Sequence, residues 1–342
     1  MQGMHEQRLV LAMKDYYVFQ ECKLDADEKV LRVTGKAARR LPVEEIAGLH
    51  LLSGFTLTSG VLELAAKHNI PLHFYSYYGT YRGTFFPPPI EPTGSIIISQ
   101  INSIMDEKNR VLIARSILRA ANDAASKLLE PFGMNYTMDL QSNTVEDLLL
   151  EEARFRKEYY ALLDTVLPPF WSIIKRERRP PRRPADAILS YANGILYAKT
   201  AGWIHRAGLD PRISYLHGQK RASNPLALDL SEIMKPSISE AILLEIAASG
   251  TERGIITEVG NGVYLNEKGR KMVIRFVEGI LSRSVKCVNC GRTDTAQTWG
   301  MTIPRKLHRA LVTGKEPEFP VIECTLSSRT IQILKRGRIY VP

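Results

Sequence analysis

The chain has 342 residues, 44% of them hydrophobic and 24% charged, the balance of a soluble globular protein long enough for two domains. Its longest apolar candidate, around Ser95 to Ile98, is too short to span a bilayer and no stretch reads as a signal peptide, which argues against membrane insertion and secretion and makes the cytoplasm the expected compartment. The net charge of +10 favours a polyanionic partner, and four cysteines, Cys22, Cys287, Cys290 and Cys324, are too few and too scattered for a disulfide framework.

Residues 1–86 read as mainly β. Short apolar runs at 8–12, 16–19, 30–33, 48–52 and 72–75 are separated by turn residues, with a hairpin turn expected at 78–83. One helix interrupts them over 61–67, opened by Thr58 and Ser59 and closed by Asn69 ahead of Pro71. The proline-rich segment 87–97 reads as a stiff linker. Beyond it the period changes to helical, with candidates at 100–129, 144–167, 185–207, 226–234, 238–247, 267–282 and 304–312. Residues 324–342 read as a terminal hairpin or basic tail. The expected fold is α+β: a β-sandwich-like N-terminal domain (1–86), a Pro-rich linker (87–97), an all-α domain (98–323) and a tail (324–342).

Within 226–234, Asp229 and Glu232 are three residues apart and share one helical face beside Leu226, Leu230 and Ile233. His217 precedes them in the apolar run Ser214-Tyr215-Leu216-His217. In the 144–167 helix, Glu152 falls in the middle of the stripe made by Val145, Leu148, Leu149, Phe155, Tyr159, Leu162 and Leu163, while Glu151 points to the polar side. Polar groups in such settings need partners. One inward Glu, one His and an Asp/Glu pair suit Mg²⁺ or Mn²⁺ better than Zn²⁺. The competing reading pairs Glu152 with an Arg in the helical core, makes His217 a hydrogen-bonded core histidine, and has Asp229 cap or bridge locally.

Two further features carry chemistry. Lys175, Arg176, Arg178, Arg179, Arg182 and Arg183 place six positive charges within ten residues, among prolines that keep the segment extended enough to follow a phosphate backbone. Cys287-Val288-Asn289-Cys290-Gly291 has the turn of a zinc knuckle, for which His308 and Cys324, or a symmetry mate, would have to complete the ligand set.

Taken together, several blocks in one order resemble the CRISPR-associated integrase family Cas1. They are Leu41-Pro42-Val43-Glu44-Glu45-Ile46, Thr56-Leu57-Thr58, Asn69-Ile70-Pro71-Leu72-His73-Phe74 and Tyr81-Arg82-Gly83, then Glu152 with Tyr159, Arg178-Arg179-Pro180-Pro181, Leu189-Ser190-Tyr191-Ala192-Asn193, Gly208-Leu209-Asp210-Pro211, Leu216-His217 and Leu226-Ala227-Leu228-Asp229-Leu230. The chain departs from the family's pattern after Pro181, at Pro225, around Cys287–Cys290 and after Cys324. The resemblance implies a metal-dependent DNA nuclease and integrase that inserts short fragments into a CRISPR repeat array by 3′-hydroxyl attack on a phosphodiester. It implies Glu152, His217 and Glu232 as catalytic metal ligands, Asp229 as a further ligand or an orienting residue, and Mg²⁺ or Mn²⁺ as cofactor. It also implies homodimerisation through the N-terminal domain and a small ferredoxin-like Cas2 partner; the charge clustering adds the expectation that Lys175, Arg176, Arg178, Arg179, Arg182 and Arg183, with Arg221, contact DNA phosphates. A non-catalytic DNA-binding scaffold and a stand-alone, transposon-type nuclease-integrase of the same fold are the alternatives the sequence leaves open.

Overall fold

The computed structural model describes residues 13–89, 93–173, 176, 180–218, 223–250 and 254–337. The chain divides into two compact units, Met1–Ile90 and Glu91–Pro342.

Among the described residues, the first unit holds two four-stranded sheets. One sheet runs β1-β5-β7-β8, from β1 (Lys14–Val18), β5 (Ile46–Leu51), β7 (Leu72–Tyr75) and β8 (Tyr81–Phe85); the other runs β4-β3-β2-β6, from β2 (Cys22–Asp27), β3 (Val30–Thr34), β4 (Arg39–Pro42) and β6 (Phe55–Leu57). Alternation sets the core: Leu49, Leu51 and Leu72 from the first sheet meet Leu24, Leu31 and Val33 from the second and Val61 and Leu64 from helix α1 (Ser59–Lys67). His50, between Leu49 and Leu51, falls on the opposite face and stacks on Tyr17 and His73 across neighbouring strands. The expected strand at 8–12 lies outside the described residues.

The second unit is mostly helical. It contains α2 (Gly94–Met105), α3 (Glu107–Leu129), α4 (Val145–Asp164), α5 (Pro184–Arg206), α6 (Pro225–Met234), α7 (Ala241–Ala248), α8 (Glu267–Leu281), α9 (Ala296–Thr313) and α10 (Ser328–Gly337). It is not purely α, because hairpins β9–β10 (Ile256–Val259, Gly262–Leu265) and β11–β12 (Ser284–Lys286, Thr293–Thr295) interrupt the helices. The expected 100–129 helix breaks at Asp106, whose carboxylate accepts from the Lys108 and Asn109 amides at 3.0 and 3.4 Å and starts α3 afresh. The helix expected from Pro304 begins eight residues earlier, where Thr295 caps Thr298, and Pro304 lies buried inside it. The expected terminal hairpin is instead α10, with Thr330 and Leu334 buried.

Two features position the site. Helix α5 is buried on almost every face and packs against α6, α8 and α9, as a helix apolar all round must. Between α6 and α7 lies one wide turn, Pro236–Glu240, in which the Glu240 amide donates to Lys235 O at 3.0 Å. Wide turns of this type recur at functional sites.

Candidate functional site

Asp229, on α6, is fully buried and turned toward the 214–217 loop. Its Oδ2 accepts from Ser214 Oγ at 2.9 Å, the Tyr215 amide at 2.7 Å and the Leu216 amide at 2.9 Å. Its Oδ1 accepts from the His217 amide at 3.0 Å and meets His217 Nδ1 at 2.9 Å. With five donors on one carboxylate, Asp229 in this arrangement holds the 214–217 loop and the His217 ring, the orienting role of the two considered for it. A carboxylate beside Nδ1 makes that nitrogen the donor and turns Nε2 away from Asp229.

The other carboxylates gather on one cation. Arg156, one turn after Glu152 on α4, gives each guanidinium nitrogen to a different acid. Nε donates to Glu152 Oε1 at 3.1 Å, Nη1 to Glu240 Oε1 at 3.3 Å, and Nη2 to Glu232 Oε2. Glu232 Oε1 takes a further bond from Lys235 Nζ. Glu240, fully buried, also accepts from the Tyr159 hydroxyl at 3.2 Å and the Tyr160 hydroxyl at 3.1 Å. Burial by itself would raise the Glu232 carboxyl, but the charges of Lys235, Arg156 and His217 outweigh it and hold the group well below the usual carboxylate range. Burial likewise works against the Arg156 charge and is overcome by Glu232, Glu240 and Glu152.

The competing reading of the sequence therefore describes real contacts: Glu152 does pair with an Arg, and Asp229 does bridge locally to His217. As placed, among the described residues no three His, Cys, Asp or Glu side chains stand together as a set able to hold a metal ion. The donor chemistry nevertheless fits Mg²⁺ or Mn²⁺: two carboxylates already drawn to a cation, one imidazole with Nδ1 occupied, and no thiolate. Sequence reasoning missed Glu240 and Lys235. A signal for Glu240 was present, since it interrupts the apolar run after Ile238 as Glu152 interrupts its stripe.

The basic segment is only partly described. Lys175, Arg178, Arg179 and Arg221 lie outside the described residues. Arg182 is exposed, Arg183 is half-buried at the start of α5, and Arg176 Nη1 donates to the Tyr160 hydroxyl at 2.7 Å. That bond ties Arg176 to the carboxylate cluster.

In the knuckle, the Cys287 thiol hydrogen-bonds to the Cys290 sulfur and the Gly291 amide closes the turn onto Cys287 O at 2.9 Å. His308 is engaged elsewhere, through Nδ1 to Ala207 O at 2.7 Å. The Arg292 amide, the Cys287 thiol and the Arg292 charge pull the exposed Cys290 down to about 7, while burial pushes Cys324 up to about 11. Only the thiolate alkylates. Iodoacetamide labelling of Cys290 is therefore expected to rise through a midpoint near pH 7 and that of Cys324 to lag far behind, as read by peptide mass spectrometry; equal labelling of both would contradict these environments.

The comparisons agree from sequence and from structure. The family model described as CRISPR associated protein Cas1 matches residues 16–278. A CRISPR-associated endonuclease Cas1 of Methanothermobacter thermautotrophicus is 32% identical over 292 residues, 83% of this chain and 87% of the relative. Its counterpart from Pyrococcus horikoshii is 32% identical over 317 residues, 90% of this chain and 98% of the relative. A solved CAS1 protein from Thermotoga maritima superposes with a TM-score of 0.81 at 25% identity, covering 89% of this chain and 98% of the other. A casposase bound to integration product shares the fold, with a TM-score of 0.80 at 18% identity. With a family model that matches most of its length and relatives aligned along most of theirs, this chain belongs to the CRISPR-associated Cas1 family.

Proposed function

We propose that the chain is a divalent-metal-dependent DNA nuclease and integrase that joins the 3′-hydroxyl of a short DNA fragment to a phosphodiester of a CRISPR repeat. The observation that carries this reading is the gathering of Glu152 and Glu232 on the Arg156 guanidinium, with the His217 imidazole held by Asp229 on the same helix as Glu232. Its relatives among the CRISPR-associated endonucleases and the similar fold of a casposase bound to integration product support it.

Glu152, Glu232 and His217 Nε2 would hold Mg²⁺ or Mn²⁺. When bound, the ion supplies Lewis acidity that favours ionisation of the attacking hydroxyl and stabilises charge on the scissile phosphate. Asp229 fixes the direction in which His217 presents Nε2. Lys235 and Arg156 keep Glu232 ionised despite its burial. Lys175, Arg178, Arg179, Arg182, Arg183 and Arg221 hold phosphates along the incoming DNA. The N-terminal unit pairs two copies of the chain, and a Cas2 subunit completes the assembly, in line with solved structures described as Cas6-RT-Cas1–Cas2 complexes that share this fold.

The test is strand transfer of a labelled duplex with free 3′-hydroxyl ends into a supercoiled plasmid carrying a repeat. Covalent joining in Mg²⁺ or Mn²⁺, abolished by EDTA, is expected. Binding without joining or cleavage in either metal would make the chain a DNA-binding scaffold, and joining that survives EDTA would overturn the metal dependence.

A further inference from the structure

We propose that Arg156 is a tethered stand-in for the divalent ion. It draws the candidate ligands Glu152 and Glu232 together when no ion is bound, competes with the ion for their oxygens, and withdraws onto Glu240 when the ion enters. This rests on the metal-binding reading of the site.

Three observations support the assignment. First, the guanidinium spends two nitrogens on the two carboxylates offered as ligands and the third on a carboxylate that is not one: Nε at 3.1 Å from Glu152 Oε1, Nη2 on Glu232 Oε2, and Nη1 at 3.3 Å from Glu240 Oε1. Planar and always charged, Arg is the side chain that can gather several acids at once. Second, Glu240 is anchored independently of Arg156. It has no solvent exposure and takes the Tyr159 and Tyr160 hydroxyls at 3.2 and 3.1 Å. It therefore stays in place as a resting partner whatever the other two acids bind.

Third, the charges do not balance. Among the described residues, Glu152, Glu232 and Glu240 share Arg156 and Lys235 as their bonded cations, Asp229 faces His217, and Arg176 touches the cluster through the Tyr160 hydroxyl. The cluster remains an attractor for a further cation while Arg156 is in it. An Arg serving stability alone needs no second anchor and leaves no such deficit.

The distinguishing consequence is a pair of opposite effects. Removing the competitor should tighten ion binding. Removing the resting place should weaken it, because the guanidinium then has only Glu152 and Glu232 to hold. Loss of a charge alone moves affinity in these same directions by Coulomb attraction, so the charge-preserving Arg156→Lys decides: a purely structural Arg156 would leave Mn²⁺ affinity unchanged or weaker in that variant.

The experiment is isothermal titration of Mn²⁺ into the full-length protein, with folding of each variant checked by circular dichroism. Arg156→Gln is expected to bind Mn²⁺ about tenfold more tightly, the equivalent of losing one competing charge-assisted contact. Arg156→Lys, a milder variant whose compact ammonium cannot serve three acids in one plane, should shift affinity in the same direction, and Glu240→Gln should weaken it several-fold. Arg156→Lys that binds no more tightly than wild type, or Glu240→Gln that binds more tightly, overturns the stand-in role. Wild-type protein that takes up no Mn²⁺ overturns the metal reading instead, so the two failures are separable.

Discussion

Asp229→Ala is expected to lower the unfolding free energy of the helical unit by about 3–5 kcal/mol, the range for removing one partner from a buried, charge-assisted network. The loss is large because the carboxylate replaces water for five donors at once: the Tyr215, Leu216 and His217 amides, the Ser214 hydroxyl and the His217 ring. Alanine removes the acceptor from all five and leaves the Tyr215 and Leu216 amides without it in a buried loop. Asp229→Asn should fare better, losing about 2 kcal/mol, because its amide oxygen still accepts while its NH₂ group faces donors. Urea denaturation followed by tryptophan fluorescence reports this unit selectively, since Trp171, Trp203 and Trp299 all lie in it. A loss below about 1 kcal/mol for the alanine variant would show that the loop does not depend on this carboxylate.

His217→Ala should separate activity from stability in the opposite sense. Four of the five bonds to Asp229 survive, because the backbone amides and Ser214 remain, so the expected stability change is about 1 kcal/mol or less. Strand joining, by contrast, should fall on the order of 100-fold or more, since the substitution removes the one nitrogen ligand and with it the geometry that Asp229 maintains. DNA affinity measured by fluorescence anisotropy should stay close to wild type, because the phosphate contacts are assigned to the basic segment. Joining at wild-type rate would remove His217 from the reaction, and loss of DNA binding in parallel would reassign it to substrate recognition.

Much of this site was legible from periodicity. Glu152 could be recognised because it interrupts an apolar stripe on α4, and Asp229 and Glu232 because three-residue spacing put them on one buried face of α6. Which carboxylate meets which cation could not be recognised, because that depends on how α4 docks against α6 and the wide turn after it. Arg156 illustrates the limit: on α4 alone it is an ordinary i, i+4 partner of Glu152, and only tertiary packing brings Glu232 and Glu240 to its other nitrogens. The same limit explains the misread tail. The segment around Thr330 and Ile333 has a β-prone composition, yet Glu245 on α7 takes the Ser327 amide at 2.8 Å and the Thr330 hydroxyl at 2.5 Å and starts a helix there. In the N-terminal unit, apolar runs such as 48–52 were visible and lie in Ile46–Leu51, whereas Arg39–Pro42 and Phe55–Leu57 are short and defined mainly by the neighbours they pair with.

The way Arg156 reaches across the fold also bears on when during synthesis the protein becomes able to act on DNA. Its bonds to Glu232 and Glu240 join residues 76 and 84 positions apart, and Thr325 reaches back 88 positions to Ser237 O in the turn that carries Glu240. Contacts this distant in sequence form only after long stretches of chain have been released and loop-closure entropy has been overcome. A nascent or prematurely terminated chain that ends before the wide turn therefore carries Glu152, Arg156 and Glu232 without Glu240, the anchored acid that holds the third guanidinium nitrogen. The cluster is thus completed only late in synthesis.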